Sequence, residues 1–129
     1  MDATSNPLPL LRAFAACHQL FKALGANVRA RPGVTRVVHH FDVYNAADGG
    51  FRLTEYLSPD RTDGRWTCWR LEIAVAPDAA ATVTADTLGD DPDGRRLRTV
   101  VAAAVHLAPP AAAEGIVAIT RRLCAADPA

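Results

Sequence analysis

From Val34 to Leu107 apolar residues recur at alternate positions, in runs broken by short clusters of glycine, aspartate, proline and asparagine. Period two is the signature of a strand with one buried face. The breaks, "NAADGG", "SPDRTDG", "PDAA" and "GDDPDG", have turn chemistry. None reaches the dozen or so residues that a parallel crossover needs, so consecutive strands must run antiparallel. The expected strands are Val34–Tyr44, Phe51–Leu57, "RWTCWRLEIAVA", "ATVTADTL" and "RRLRTVVAAAVHL". Alanines 102 to 104 weaken the pattern of the last.

The flanks have a different period. Leu10, Phe14, Cys17, Phe21 and Leu24 fall at helical spacing, with Leu11 and His18 beside them. Asn6 before Pro7 is an N-cap pattern and Gly25 a stop signal, which predicts a helix over 7–24. "PPAAAEGIVAITRRLCAA" predicts a closing helix, with the prolines in its first turn and Ile116, Ile119 and Leu123 on one face. The expected architecture is one α+β domain spanning residues 1–129. It is a two-layer sandwich of order α-β5-α, an antiparallel meander with both helices on one face. This order resembles the frataxin-like sandwich and is similar to small secretion-chaperone folds. The resemblance is one of topology over the whole chain. An acidic first helix is part of the frataxin pattern, whereas here that helix carries Arg12 and Lys22 and no acid. Iron handling is therefore not implied.

Lys+Arg and Asp+Glu balance at 14 each among 129 residues, so no net field steers the chain toward nucleic acid or an anionic membrane. Arg95, Arg96 and Arg98, with Arg121 and Arg122, form two small basic clusters, the first blunted by Asp90, Asp91 and Asp93. Cys17, Cys68 and Cys124 are odd in number and far apart, without a CxxC. That is neither a disulfide framework nor a zinc signature. The start lacks the basic and apolar regions of a leader, and no stretch approaches a membrane span. A cytoplasmic protein is expected.

Alternation divides each strand into two faces. Trp69, Leu71, Ile73 and Val75 form a core stripe; Trp66, Cys68, Arg70 and Glu72 form the opposite one. Likewise Val37, His39, Phe41 and Val43 oppose Val38, His40, Asp42 and Tyr44. Phe51, Leu53, Glu55 and Leu57 oppose Arg52, Thr54 and Tyr56. The outer face thus gathers Tyr44, Arg52, Tyr56, Trp66, Arg70 and Glu72, the aromatic-plus-arginine composition of interaction hot spots. These six are the candidate partner-binding residues, for another protein or for a second copy of the chain. The expected function is a small protein-binding domain, of the immunity, antitoxin or dedicated-chaperone kind.

His39 and Glu55 are the ionisable residues on the core face. A five-residue loop over 45–49 would set them opposite each other at the mouth of a pocket between sheet and helices, and the alternative function is a small-ligand-binding protein or enzyme using that pocket. Near a strand end both would instead reach water, and this is the expectation preferred. His39 and His40 point to opposite faces, and His18 and His106 lie on other elements without HxH or HxxxH spacing. No metal and no cofactor is expected. "DDPDG" lacks the glutamate that closes a calcium loop. Neither Ser5 nor Ser58 sits in a GxSxG elbow, and the glycine clusters are not phosphate loops. Cysteine catalysis would require Cys68 beside His40 across strands. No catalytic residue is assigned.

Overall fold

A computed structural model describes residues 8–91 and 93–128 of the chain. Its elements are α1 (Leu8–Arg29), β1 (Val34–Asn45), β2 (Phe51–Arg61), β3 (Thr67–Val75), β4 (Ala81–Asp90), β5 (Arg96–Leu107) and α2 (Ala112–Ala125). The strands form one sheet in the order β1-β2-β3-β4-β5, antiparallel throughout. Short loops leave no other neighbour within reach, so the meander follows from loop length. Both helices pack on the inner face, α1 over β1 and β2, α2 over β3 to β5, and on each other. The α-β5-α sandwich is the architecture expected.

The core lies between the layers. Leu10, Phe14, Cys17, Phe21, Leu24 and Val28 of α1 meet Leu53, Leu57, Trp69, Leu71, Ile73 and Val83 of the sheet. Ile116, Ile119 and Leu123 of α2 complete it. Trp69 is 1% exposed, and its indole donates to the Ala126 carbonyl at 2.8 Å. That bond satisfies the polar end of the ring and ties the end of α2 to β3. Leu11 stays half exposed.

Several boundaries differ from expectation for identifiable reasons. α1 runs through Gly25 to Arg29. A methyl at Gly25 would meet Leu57 at 3.2 Å, so this glycine serves close helix–sheet approach rather than helix termination. The Asn6 cap and Pro7 lie outside the described residues. β2 continues through "SPDR" to Arg61, four residues beyond the expected end at Leu57. There it pairs with the start of β1, and Pro59 faces Val37. β3 begins at Thr67, so Trp66 stands just ahead of it. α2 begins at Ala112, so the Pro109-Pro110 pair precedes the helix instead of filling its first turn. β5 is a strand despite its alanines, which mark bulges. Val83 pairs with Val105, Ala85 with Ala102 and Asp86 with Val100. The chain turns to φ 48° at Ala104, and the paired shifts restore the facing of the strand's two ends.

The first hairpin closes through Ala46 to Gly50, with Asn45 opposite Phe51. Asp48 Oδ1 accepts from the Gly50 N–H at 3.0 Å, a turn that aspartate favours. A Cβ on Gly50 would penetrate the Val75 carbonyl of the adjacent β3 end. Gly50→Ala is therefore expected to destabilise the fold by about 2–3 kcal/mol, as overpacking against backbone that cannot yield. Urea unfolding checks this; a loss below about 0.5 kcal/mol would show that the β3 end moves aside.

Candidate functional site

Two clusters of ionisable side chains stand out, one on each face of the sheet. On the outer face, register fixes the rows. His40, Tyr56, Arg70, Asp86 and Val100 form one row across the five strands. Asp86 is its anchor. Its carboxylate, 3% exposed, accepts from Arg70 Nε and Nη2, each at 2.7 Å, and from Arg98 Nε at 2.7 Å. The Arg70 hydrogen bonds, with help from Arg98, hold the Asp86 carboxyl below the ordinary carboxylate range. In turn Asp86 pushes the Arg70 guanidinium above its ordinary value.

Around this centre lie the residues expected on that face. Arg52 donates to Glu72 at 3.1 Å. Tyr44, 43% exposed, pairs with Arg52 across the hairpin. Tyr56 sits between His40 and Arg70. Trp66 is half-buried beneath the Arg96 guanidinium, 4.3 Å above its ring centroid. A depression of about 270 Å³ opens here, and Tyr56, Arg70, Glu72, Asp86 and Arg98 line it. Alternation found this face, but Asp86 and Arg98 were not singled out as site residues. An aspartate in mid-strand is the available signal, because strands disfavour it. Three arginines of the two basic clusters are engaged within the chain: Arg96 on Trp66, Arg98 on Asp86, and Arg122 on the Val101 carbonyl at 2.6 Å.

On the inner face, α1, β1 and β2 bring His18, His39 and Glu55 together. Glu55 Oε2 lies 2.6 Å from His39 Nε2 and 3.0 Å from His18 Nδ1. The Glu55 side chain is fully buried, while His39 is 20% and His18 33% exposed. Phe21 stacks on His39 at 5.9 Å, and Phe41 lies 4.3 Å from the His18 ring. Glu55 Oε1 is buried and has no hydrogen-bond partner.

This arrangement corrects three expectations. The hairpin register is displaced by two residues, so Phe41 faces Glu55 and His39 faces Leu57. The shift preserves the facing of every side chain, and His39 reaches Glu55 along the diagonal. Glu55 is also not at a solvent-exposed strand end. The longer β2 puts it in mid-strand, beneath α1. Lastly, His18 does not stand apart. It lies one helical turn from Phe14 and Phe21 on α1, and helix packing carries it to His39, with ring centroids 5.2 Å apart.

Cys68 and His40 are not brought together: β2 separates their strands, and Cys68 pairs with Leu88. Burial raises the Cys68 thiol and pushes Cys17 up to about 11 and Cys124 up to about 12. Thiols so raised are protonated near neutrality and poor nucleophiles. Asp91 Oδ1 accepts from the Asp93 and Arg95 N–H groups at 3.0 and 2.7 Å, completing a hairpin turn.

Among the described residues no helix is long and apolar enough to cross a membrane. No family model, curated protein or solved structure matches this chain.

Proposed function

We propose that the chain is a small protein-binding domain that receives its partner on the outer face of the sheet. The observation that carries this reading is the Arg70–Asp86–Arg98 centre. It lies on a sheet face that neither helix covers, with Tyr56 lining the same depression and Trp66 beneath Arg96. Guanidinium groups already fixed by a carboxylate lose little further freedom on binding, which lowers the entropic cost of association. Two of them share a single aspartate, so the centre favours a partner that brings a carboxylate. Tyr44, Tyr56 and Trp66 would supply apolar contact area and Arg52 and Glu72 the polar rim. The partner is another protein or a second copy, in the manner of immunity proteins, antitoxins or dedicated chaperones. A cytoplasmic setting suits three free thiols.

The test uses the double variant Trp66→Ala with Arg52→Glu, which leaves the Asp86 centre intact. Light scattering after size exclusion compares it with wild type. A wild-type dimer and a folded monomeric variant would identify a self-association surface. If both are monomers, retention of a host protein by wild type but not by the variant is expected. Equal oligomeric state together with equal retention would end the reading.

A further inference from the structure

We propose that His18, His39 and Glu55 form a binding site for one first-row divalent transition-metal ion of the Zn²⁺ or Fe²⁺ type. This site is independent of the outer sheet face and lies on the other side of the sheet. Its donor set is two imidazole nitrogens and one carboxylate. The three can offer ligand atoms that all lie within 4.8 Å of one another. A tetrahedral ion with bonds of about 2.0–2.1 Å holds its donors roughly 3.3 Å apart. The Glu55 contacts to His39 at 2.6 Å and to His18 at 3.0 Å would both widen to that spacing on binding. Imidazole with carboxylate suits zinc and iron rather than calcium or magnesium, which prefer all-oxygen shells.

The second observation is Glu55 Oε1, which is buried and unpartnered. A carboxylate kept only for structure would be expected to have both oxygens satisfied, because an unpaired buried acceptor is costly. A cation seated among the three side chains would satisfy the carboxylate as a whole. A ring nitrogen that donates to Oε2 must give up that proton before it can hold a metal ion. Metal binding moves each proton to the other ring nitrogen or releases it, and no further chemistry is needed. Phe21 and Phe41 wall the site with apolar surface, as at metal centres whose solvent access is restricted. His18 gives the route to solvent. Cys17, the adjacent helix residue, is turned away and bonded to Thr120 at 3.1 Å. Three protein ligands leave at least one position on the ion open for a small molecule.

Metal-free protein, stripped with chelator, would be titrated with Co²⁺ and followed by calorimetry and visible absorption. One Co²⁺ per chain, visible d–d bands and displacement by Zn²⁺ are expected. His18→Ala replaces a partly exposed side chain with the best helix former, so the variant folds, as circular dichroism would verify. Its Co²⁺ affinity should fall more than about 100-fold, beyond the loss that follows removal of an outer-shell partner. Glu55→Gln keeps the shape and should lose affinity as well. Zn²⁺ should raise the melting temperature of wild type and not that of His18→Ala. Failure of wild type to bind one ion per chain overturns the proposal. So does undiminished binding by the folded His18→Ala protein, because the ion then lies elsewhere.

Discussion

His39→Ala is expected to destabilise the protein by about 3 kcal/mol, whereas Glu55→Met should leave stability within about 1 kcal/mol of wild type or raise it. The contrast follows from which partner is left behind. Removing His39 takes away the closer of the two donors on Glu55 Oε2, at 2.6 Å. It also opens space beside Phe21. The carboxylate stays fully buried, with Oε1 already unpartnered and only His18 to support the charge. Uncompensated buried charge is the expensive outcome. Methionine at position 55 removes the charge and fills nearly the same volume with a flexible apolar chain. His18 and His39 are each partly exposed, so their rings can turn to water. Urea unfolding of both variants at neutral pH measures the difference. Equal losses would show that the cluster is an ordinary stabilising pair. A stable Glu55→Met protein would show instead that the fold carries this carboxylate at a cost, as expected of a group kept for binding.

The legible part of this fold is the part governed by period and loop length. Alternation placed Trp69, Leu71 and Ile73 inside and Arg52, Arg70 and Glu72 outside, because a strand allows no other division. Loop length fixed the antiparallel meander. What escaped depends on distances between elements. His18 has no sequence neighbour among the cluster residues, and only the docking of α1 across β1 brings it to His39. Gly25 carried a helix-stop signal, but packing against Leu57 and Val37 prevailed over that local preference. Pro59 and Asp60 looked like a loop. Pairing with the start of β1 made them strand, and this moved Glu55 from the rim into the middle of β2. Asp86 shows the limit most plainly. Its outward facing was readable from Thr82 and Thr84, yet its burial was not. Burial comes from Arg70 and Arg98 closing over it from both neighbouring strands.

That closure gives the Arg70–Asp86–Arg98 centre the largest expected effects on the outer face. Asp86→Ala removes three charge-assisted hydrogen bonds and frees two guanidinium groups. Arg70 and Arg98 are each about half exposed, at 46% and 52%, so water takes up much of their charge. The expected loss is about 2 kcal/mol, below the 3–5 typical when one member of a fully buried pair is left unpaired. Arg70→Ala strands the carboxylate instead, leaving it one bond from Arg98, and should cost as much or more. Arg98→Ala removes a single bond and should cost less than either. Asp86 has a lowered folded-state pKa, so it binds its proton less readily in the folded than in the unfolded chain. Its stabilisation is therefore fully present above the ordinary carboxylate pKa, and is lost as pH falls from there through the lowered folded value. Stability measured from neutral to acid pH should consequently fall less steeply in Asp86→Asn than in wild type. The asparagine variant also separates stability from recognition. It keeps one acceptor oxygen, puts an NH2 donor in place of the other, and loses the charge that orders Arg70 and Arg98. If those guanidinium groups receive a partner's carboxylate, Asp86→Asn should weaken association while the fold persists. It should also make the remaining affinity more sensitive to salt, since the freed cations are exposed and screened. Unchanged affinity in a folded Asp86→Asn protein would confine the role of this centre to stability.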